Sequence, residues 1–369
     1  MSSYDVAAYI WPAYTGTEPR TFQFWEQGIG EWQTVKNPTF KQAWNFKNPQ
    51  PLWGYVDEAD KAVMEMQINA AADHGVNVFI YDWYWYDNRP FLEQCLNDGY
   101  LKAKNNDRVK FYLMWANHNV TYLWDKRNSH INNLIWTGMI DEKQFDAITD
   151  RLIEKYFSHP SYYKIDGCPV FMVYDVKNLI NGLGGIDISV KAVKLFREKV
   201  KSAGFPDLHF QLCAWSEGAV NLGGIDATRS GSTKDIARIM GFDSLTNYQF
   251  VHIVGLSAYK NYLDVLKDIK KEWERIDRDY SIPYYPHISV GWDNNLRHKH
   301  FVPGIITDNT PENFEKGLLM AKEYLDRHPN ITPLITVNSW NEWTEGSYLE
   351  PDTVNGYGYL EAIKRVFKL

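Results

Sequence analysis

PLITVNSWNEWTEGSYLEPD, residues 333–352, is the stretch on which the reading of this chain turns. It opens as a short apolar run with no alternation, the pattern of a strand covered on both faces in a parallel sheet. It ends in Trp, Asn and Glu, which no core can absorb together. Seven earlier runs have the same build: VAAYIW (6–11), VNVFIYDWYW (76–85), VKFYLMWAN (109–117), PVFMVYD (169–175), LHFQLCAW (208–215), SLTNYQF (244–250) and YYPHISVGWDN (284–294). Helical patterns fall around them at 57–74, 90–104, 142–157, 187–203, 232–240, 257–277, 311–327 and 356–368. Asp57 is expected to cap the first helix before its stop at Gly75, and Thr310-Pro311 places proline at a first helical position.

Strands and helices in strict alternation predict an α/β fold, a (β/α)8 TIM barrel with long strand-to-helix loops. A doubly wound open sheet is the alternative, but no Gly-rich phosphate fingerprint follows the first strand. No repeat or low-complexity linker interrupts the chain, so residues 1–369 are expected to form a single catalytic domain. Helix-to-strand connections are short, whereas strand-to-helix connections are long, above all 12–56 and 116–141. In a barrel the long set builds the active-site face.

Composition narrows the function. The net charge of -7 and the absence of a Lys/Arg stripe argue against nucleic acid as a partner. No run approaches a membrane span. Cys95, Cys168 and Cys213 lack CxxC spacing and say little about compartment. No leader is visible, so the location is expected to be periplasmic or secreted if the start is trimmed, and cytoplasmic otherwise. The 15 Trp among 369 residues are the informative excess, because flat aromatic faces suit the C–H faces of sugar rings and many of these Trp neighbour Asn, Asp and Glu. Carbohydrate is therefore the expected partner. His298 and His300 lack the i,i+4 spacing of a helical zinc pair, and neither a metal nor another cofactor is expected.

The strand ends supply the candidate residues. Glu342 and Glu345 could straddle a glycosidic bond, one protonating the leaving oxygen and the other acting as nucleophile, base or charge stabiliser. Trp340 and Trp343, with Asn341 between them, would form apolar walls that keep one carboxyl protonated. Asp82, Trp83 and Trp85 are expected to line a cleft after strand two, and Trp115, Asn117 and His118 to recognise hydroxyls after strand three. Tyr9 and Trp11 end strand one. Trp215 and Glu217 follow strand five, and Tyr248 follows strand six. Trp292, Asp293 and Arg297 follow strand seven, where Arg297 could pair with Asp293 or hold a substrate carboxylate.

The segment WNEWTEGSYLEPD resembles the C-terminal signature of the WbsX-like proteins, which are related to glycoside hydrolase family 99. FWEQGIGEWQTVK (24–36), FIYDWYWYD (79–87), WAN (115–117) and GWDNNLR (291–297) agree with the same family in the same order. The resemblance implies a (β/α)8 barrel and, from the hydrolases, retaining cleavage of α-mannosides within a chain without metal. It further implies that one Glu deprotonates the sugar 2-hydroxyl, which attacks C1, while the other protonates the leaving group. By motif position, Glu342 would be the base and Glu345 the acid. His118 stands where many members carry an acid, and Thr344 where the hydrolases carry His, so sugar and linkage stay open. A glycosyltransferase or transglycosylase of polysaccharide synthesis is the second expectation, and a non-catalytic glycan-binding barrel the third.

Overall fold

The computed structural model describes residues 4–38, 49–215 and 232–367. All eight apolar runs contain a strand: β1 (Asp5–Ile10), β2 (Val78–Tyr86), β3 (Lys110–Trp115), β4 (Cys168–Val173), β5 (His209–Cys213), β6 (Ser244–Thr246), β7 (His287–Ser289) and β8 (Leu334–Asn338). They are parallel, in the order β7-β8-β1-β2-β3-β4-β5-β6. At the β6/β7 seam, Leu245 accepts from Tyr285 N and donates to Pro283 O, each at 2.9 Å. The result is a nearly closed α/β barrel, as the alternation predicts.

Side chains from non-adjacent strands meet in its interior. The Tyr9 hydroxyl lies 3.6 Å from Met172 Sδ, that of Tyr112 donates to Gln211 at 3.1 Å, and Thr246 pairs with Thr336 at 2.7 Å. Polar and aromatic groups thus fill space that branched aliphatics usually occupy. Because successive strand residues face opposite ways, the same register sends Phe111 and Trp115 outward, and Trp115 packs on Phe145.

Helices on the outside follow the predicted positions: α1 (Lys61–Asp73), α2 (Glu142–Leu152), α3 (Ile186–Ser202), α4 (Thr233–Met240), α5 (Tyr262–Asp279), α6 (Pro311–Arg327) and α7 (Gly358–Phe367). Asp60, not Asp57, caps α1, accepting from Ala62 N at 2.8 Å. The helix expected at 90–104 is largely replaced. Asp87 and Asn88 both adopt positive φ (57° and 60°), the requirement of a tight hairpin turn, and Arg89–Phe91 pairs back on β2. Only then does the chain wind, irregularly, through a π turn at Cys95–Gly99 and a 3₁₀ turn at Tyr100–Lys102. The loops after β1 and β3 pack together over the strand ends, Phe24 meeting Trp124 and Trp136 edge-on. Among the described residues no helix is long and apolar enough to cross a membrane.

Candidate active site

The chain leaving β8 makes a tight reversal. Asn341–Glu342 pairs antiparallel with Ser347–Tyr348, and the 3₁₀ turn Trp343–Glu345 fits between them. Gly346 closes the turn at φ 61°, a conformation that a side chain disfavours. Glu342 and Glu345 are therefore fixed on one short turn.

That turn is held from behind. The Trp343 indole donates to Glu350 at 2.6 Å and stacks on Tyr348 with centroids 3.7 Å apart. Trp340 donates to Gln67 at 3.3 Å. Asn341 bonds the Trp11 backbone in both directions, at 2.8 and 2.9 Å, and donates to Glu58. Trp340, Asn341 and Trp343 are thus anchors of the turn rather than walls of a cleft, since their polar atoms are already engaged behind it. Glu58 and Glu350 are themselves buried and share the Gln67 amide. Burial raises both carboxyls, Glu58 to about 7.

In front of the turn lies Arg297. Its guanidinium reaches Glu345 Oε1 at 2.5 Å, Glu342 Oε2 at 3.1 Å, and both oxygens of Glu31 at 2.9 and 3.2 Å. Trp11 Nε1 adds a bond to Glu31 at 2.5 Å. One buried cation cannot neutralise three carboxylates, so the cluster favours retention of at least one proton. Burial raises both Glu342 and Glu345 above the ordinary range, with Arg297 opposing the rise in both. The Tyr248 hydroxyl extends the cluster, lying 2.8 Å from Asp82 Oδ2 and 3.1 Å from Glu342 Oε1. Among the described residues, Glu345 Oε2 and Asp82 Oδ1 find no hydrogen-bond partner, and both are buried.

An aromatic rim surrounds these groups. Trp11 meets Tyr84 and Trp124 at 5.6 and 5.1 Å. His118 packs between Tyr84 and Tyr174, each 5.8 Å away. Its Nδ1 donates to Asn119 O at 2.9 Å, which leaves Nε2 as an acceptor. Trp215 stacks on His252 at 3.9 Å.

The structure therefore gathers Glu342, Glu345, Arg297, Asp82, Tyr248, Trp11, His118 and Trp215 around one centre. Other sequence candidates lie elsewhere. Tyr9 sits in the barrel floor, its hydroxyl directed to Asn247 O at 2.8 Å. Trp83, Trp85 and Trp115 face the outer helical layer: Trp83 donates to Glu93 at 2.8 Å and packs against Trp85, and strand alternation brings Tyr84 inward instead. Asn117 joins two loops, exchanging 2.7 Å bonds with the Asp175 backbone and accepting from Asn178 at 2.8 Å. Asp293 caps the turn Asn294–Arg297 instead of pairing with Arg297, whose donors go to the glutamates. Trp292 is half-buried against the core. Glu217 lies outside the described residues.

Sequence reasoning missed Glu31, Tyr84, Trp124, Tyr174 and His252. Glu31 lies inside FWEQGIGEWQTVK, and alternation from Asp82 points to Tyr84. Tyr174 ends the fourth apolar run, whereas Trp124 and His252 carry no local signal. Among the described residues no group of three or more His, Cys, Asp or Glu could hold a metal ion.

Residues 6–363 match the profile of the family described as "Glycosyltransferase WbsX". The chain is 24% identical over 366 residues to "Uncharacterized protein WxcX" of Xanthomonas campestris pv. campestris, covering 94% of this chain and 47% of the relative. It thus spans about half the length of the curated relatives it matches. Among solved structures, one described as "Glycoside hydrolase-like protein" superposes with TM-score 0.61 at 16% identity, covering 100% of this chain and 95% of the other. The GH99 endo-alpha-mannosidase from Bacteroides thetaiotaomicron superposes with TM-score 0.60 at 13% identity, covering 98% and 95%. These likenesses show a shared glycosidase-like fold.

Proposed function

The chain belongs to the WbsX family, and from that premise we propose that it is a retaining glycoside hydrolase acting on α-linked, mannose-like glycosidic bonds of an oligo- or polysaccharide. The observation that carries this reading is the unequal hydrogen bonding of two buried glutamates on one turn. Glu342 faces donors at both oxygens, Tyr248 at one and Arg297 at the other, as suits a base. Glu345 has Arg297 on Oε1, while Oε2 has no partner among the described residues, as suits an acid that delivers a proton.

In the proposed reaction, Glu342 removes the proton of the 2-hydroxyl and the freed oxygen bonds to C1. The bond from C1 to the leaving oxygen breaks, and that oxygen takes the proton of Glu345. Glu345 then accepts a proton from water as the water oxygen bonds to C1. The bond from O2 to C1 breaks, and Glu342 returns its proton to O2. Two inversions at C1 give net retention. Arg297 fixes the two carboxyls relative to each other, Trp11, Tyr84 and Trp215 offer faces to the sugar ring, and His118 Nε2 accepts from a sugar hydroxyl. The single domain expected from sequence is part of this proposal.

The family's description as glycosyltransferases favours a second reading, in which a sugar hydroxyl replaces water as acceptor. One experiment addresses both. Defined bacterial and fungal glycans are incubated with the parent, Glu342→Gln and Glu345→Gln, with and without sugar acceptors and sugar nucleotides, and the product anomer is followed by NMR. Release of the retained anomer, reduced on the order of 10²–10⁴-fold in both variants, is expected. Turnover only with an acceptor or a sugar nucleotide would favour the transferase. Binding without turnover, preserved in both variants, would leave a glycan-binding barrel.

A further inference from the structure

Resting on the reading of Glu342 as the base, we propose that Asp82 is a positioning residue that carries the proton of the Asp82–Tyr248–Glu342 bridge and so turns the Tyr248 hydroxyl toward Glu342. A phenol has one proton. Lying 2.8 Å from Asp82 Oδ2 and 3.1 Å from Glu342 Oε1, Tyr248 bonds both carboxyls only when one of them is protonated and donates to the phenol oxygen. Two arrangements are possible, and they differ in which carboxyl keeps the proton.

The surroundings decide between them. Glu342 has the Arg297 guanidinium at 3.1 Å, which favours its carboxylate. Among the described residues, no cation is among the groups that act on Asp82, and its Oδ1 is buried without a donor. A desolvated carboxylate oxygen in that state is costly, whereas the carbonyl of a neutral acid is far less so. From β1, β2, the end of β4 and β5, the groups that face Asp82 are Tyr9, Tyr84, Tyr174 and Cys213, all held neutral by burial. From the loops, Tyr248, Glu342 and Glu345 face it, and a charge on the Glu342 carboxylate disfavours a second one on Asp82. The proton therefore rests on Asp82, which donates to the Tyr248 oxygen while Tyr248 donates to Glu342 Oε1. Ionisation of Asp82 at high pH reverses the phenol, and Glu342 loses that donor.

The test joins a readout independent of turnover to a kinetic one. Infrared difference spectra of the parent against Asp82→Asn near neutral pH, which subtract signals from other protonated carboxyls, are expected to show a protonated-carboxyl C=O band lost in the variant. Tyr248→Phe should shift that band without abolishing it. Persistence of the band in Asp82→Asn overturns the proposal, and its loss in Glu342→Gln would then put the proton on Glu342. In kinetics, Asp82→Ala is expected to lower kcat/KM on the order of ten- to hundredfold. Asp82→Asn, which can still donate to the phenol, should recover most of that loss. Asp82→Asn no more active than Asp82→Ala also overturns the proposal. If no glycan is turned over at all, the hydrolase reading fails while the infrared result still decides where the proton lies.

Discussion

Arg297 shows how one residue joins distant parts of the chain. It pairs with Glu31, 266 positions earlier, and with both glutamates of the turn after β8. Removing a buried partner strands the charges it compensated. Arg297→Met is therefore expected to destabilise the fold by roughly 3–5 kcal/mol near neutral pH. The deficit should shrink as pH falls, because the abandoned carboxyls then take up protons. Chemical denaturation at two pH values checks both size and sign, and an equal deficit at both would show that the glutamates are not its cause. Arg297→Lys should rescue little, since a single ammonium lacks the planar fork that meets three carboxyls. Glu345→Gln supplies a sharper test of chemistry. It should keep much of the parent activity on a substrate whose leaving group needs no protonation, and lose it on a natural glycan. Loss on both would count against the acid role.

At the scale of elements, the turn after β8 is the unit that matters, and its geometry depends on Gly346. A Cβ there would lie 3.3 Å from Asp293 N, in a residue held at φ 61°. Asp293 N in turn donates to Glu345 O at 2.6 Å. Gly346→Ala is expected to cost roughly 1–2 kcal/mol and to lower activity more than this loss of stability explains. Urea denaturation together with kinetics on the folded fraction tests it, and an unaffected turnover would show that the turn tolerates the shift. The elements themselves were largely legible in the sequence: every apolar run yielded a strand. Which face of a strand met the site was not legible, because strands buried on both faces lose the alternation that tells inside from outside. That is why the sequence points Trp83, Trp85 and Trp115 toward the site and passes over Tyr84. The hairpin at Arg89–Phe91 was hidden for a different reason, since its turn uses Asp-Asn rather than the Asn-Gly or Asp-Gly that announces such turns.

For the molecule as a whole, the barrel follows from counting, but the partners across it do not. Glu31 and Glu350 sit in motif segments and Glu58 in none, but nothing in the sequence names their partners, and only closure of the barrel brings each beside its counterpart. The Glu58–Glu350 pair has a global signature. Burial raises Glu58 from 4.5 to about 7, so between those values the folded protein retains a proton that the unfolded chain has released. Its contribution to stability is present below 4.5 and is lost as pH rises through about 7. Thermal unfolding of Glu58→Gln across this window should give a flatter curve than the parent. A parallel curve would show that another group sets the slope. The Asn117 junction bears on how such a barrel can change. By tying the chain after β3 to the chain after β4 through three atoms of one residue, its amide nitrogen and oxygen and its carbonyl oxygen, it makes those two segments a single cassette. Grafting either segment alone from a relative would tear the junction, so exchanges of specificity between such proteins must move both together.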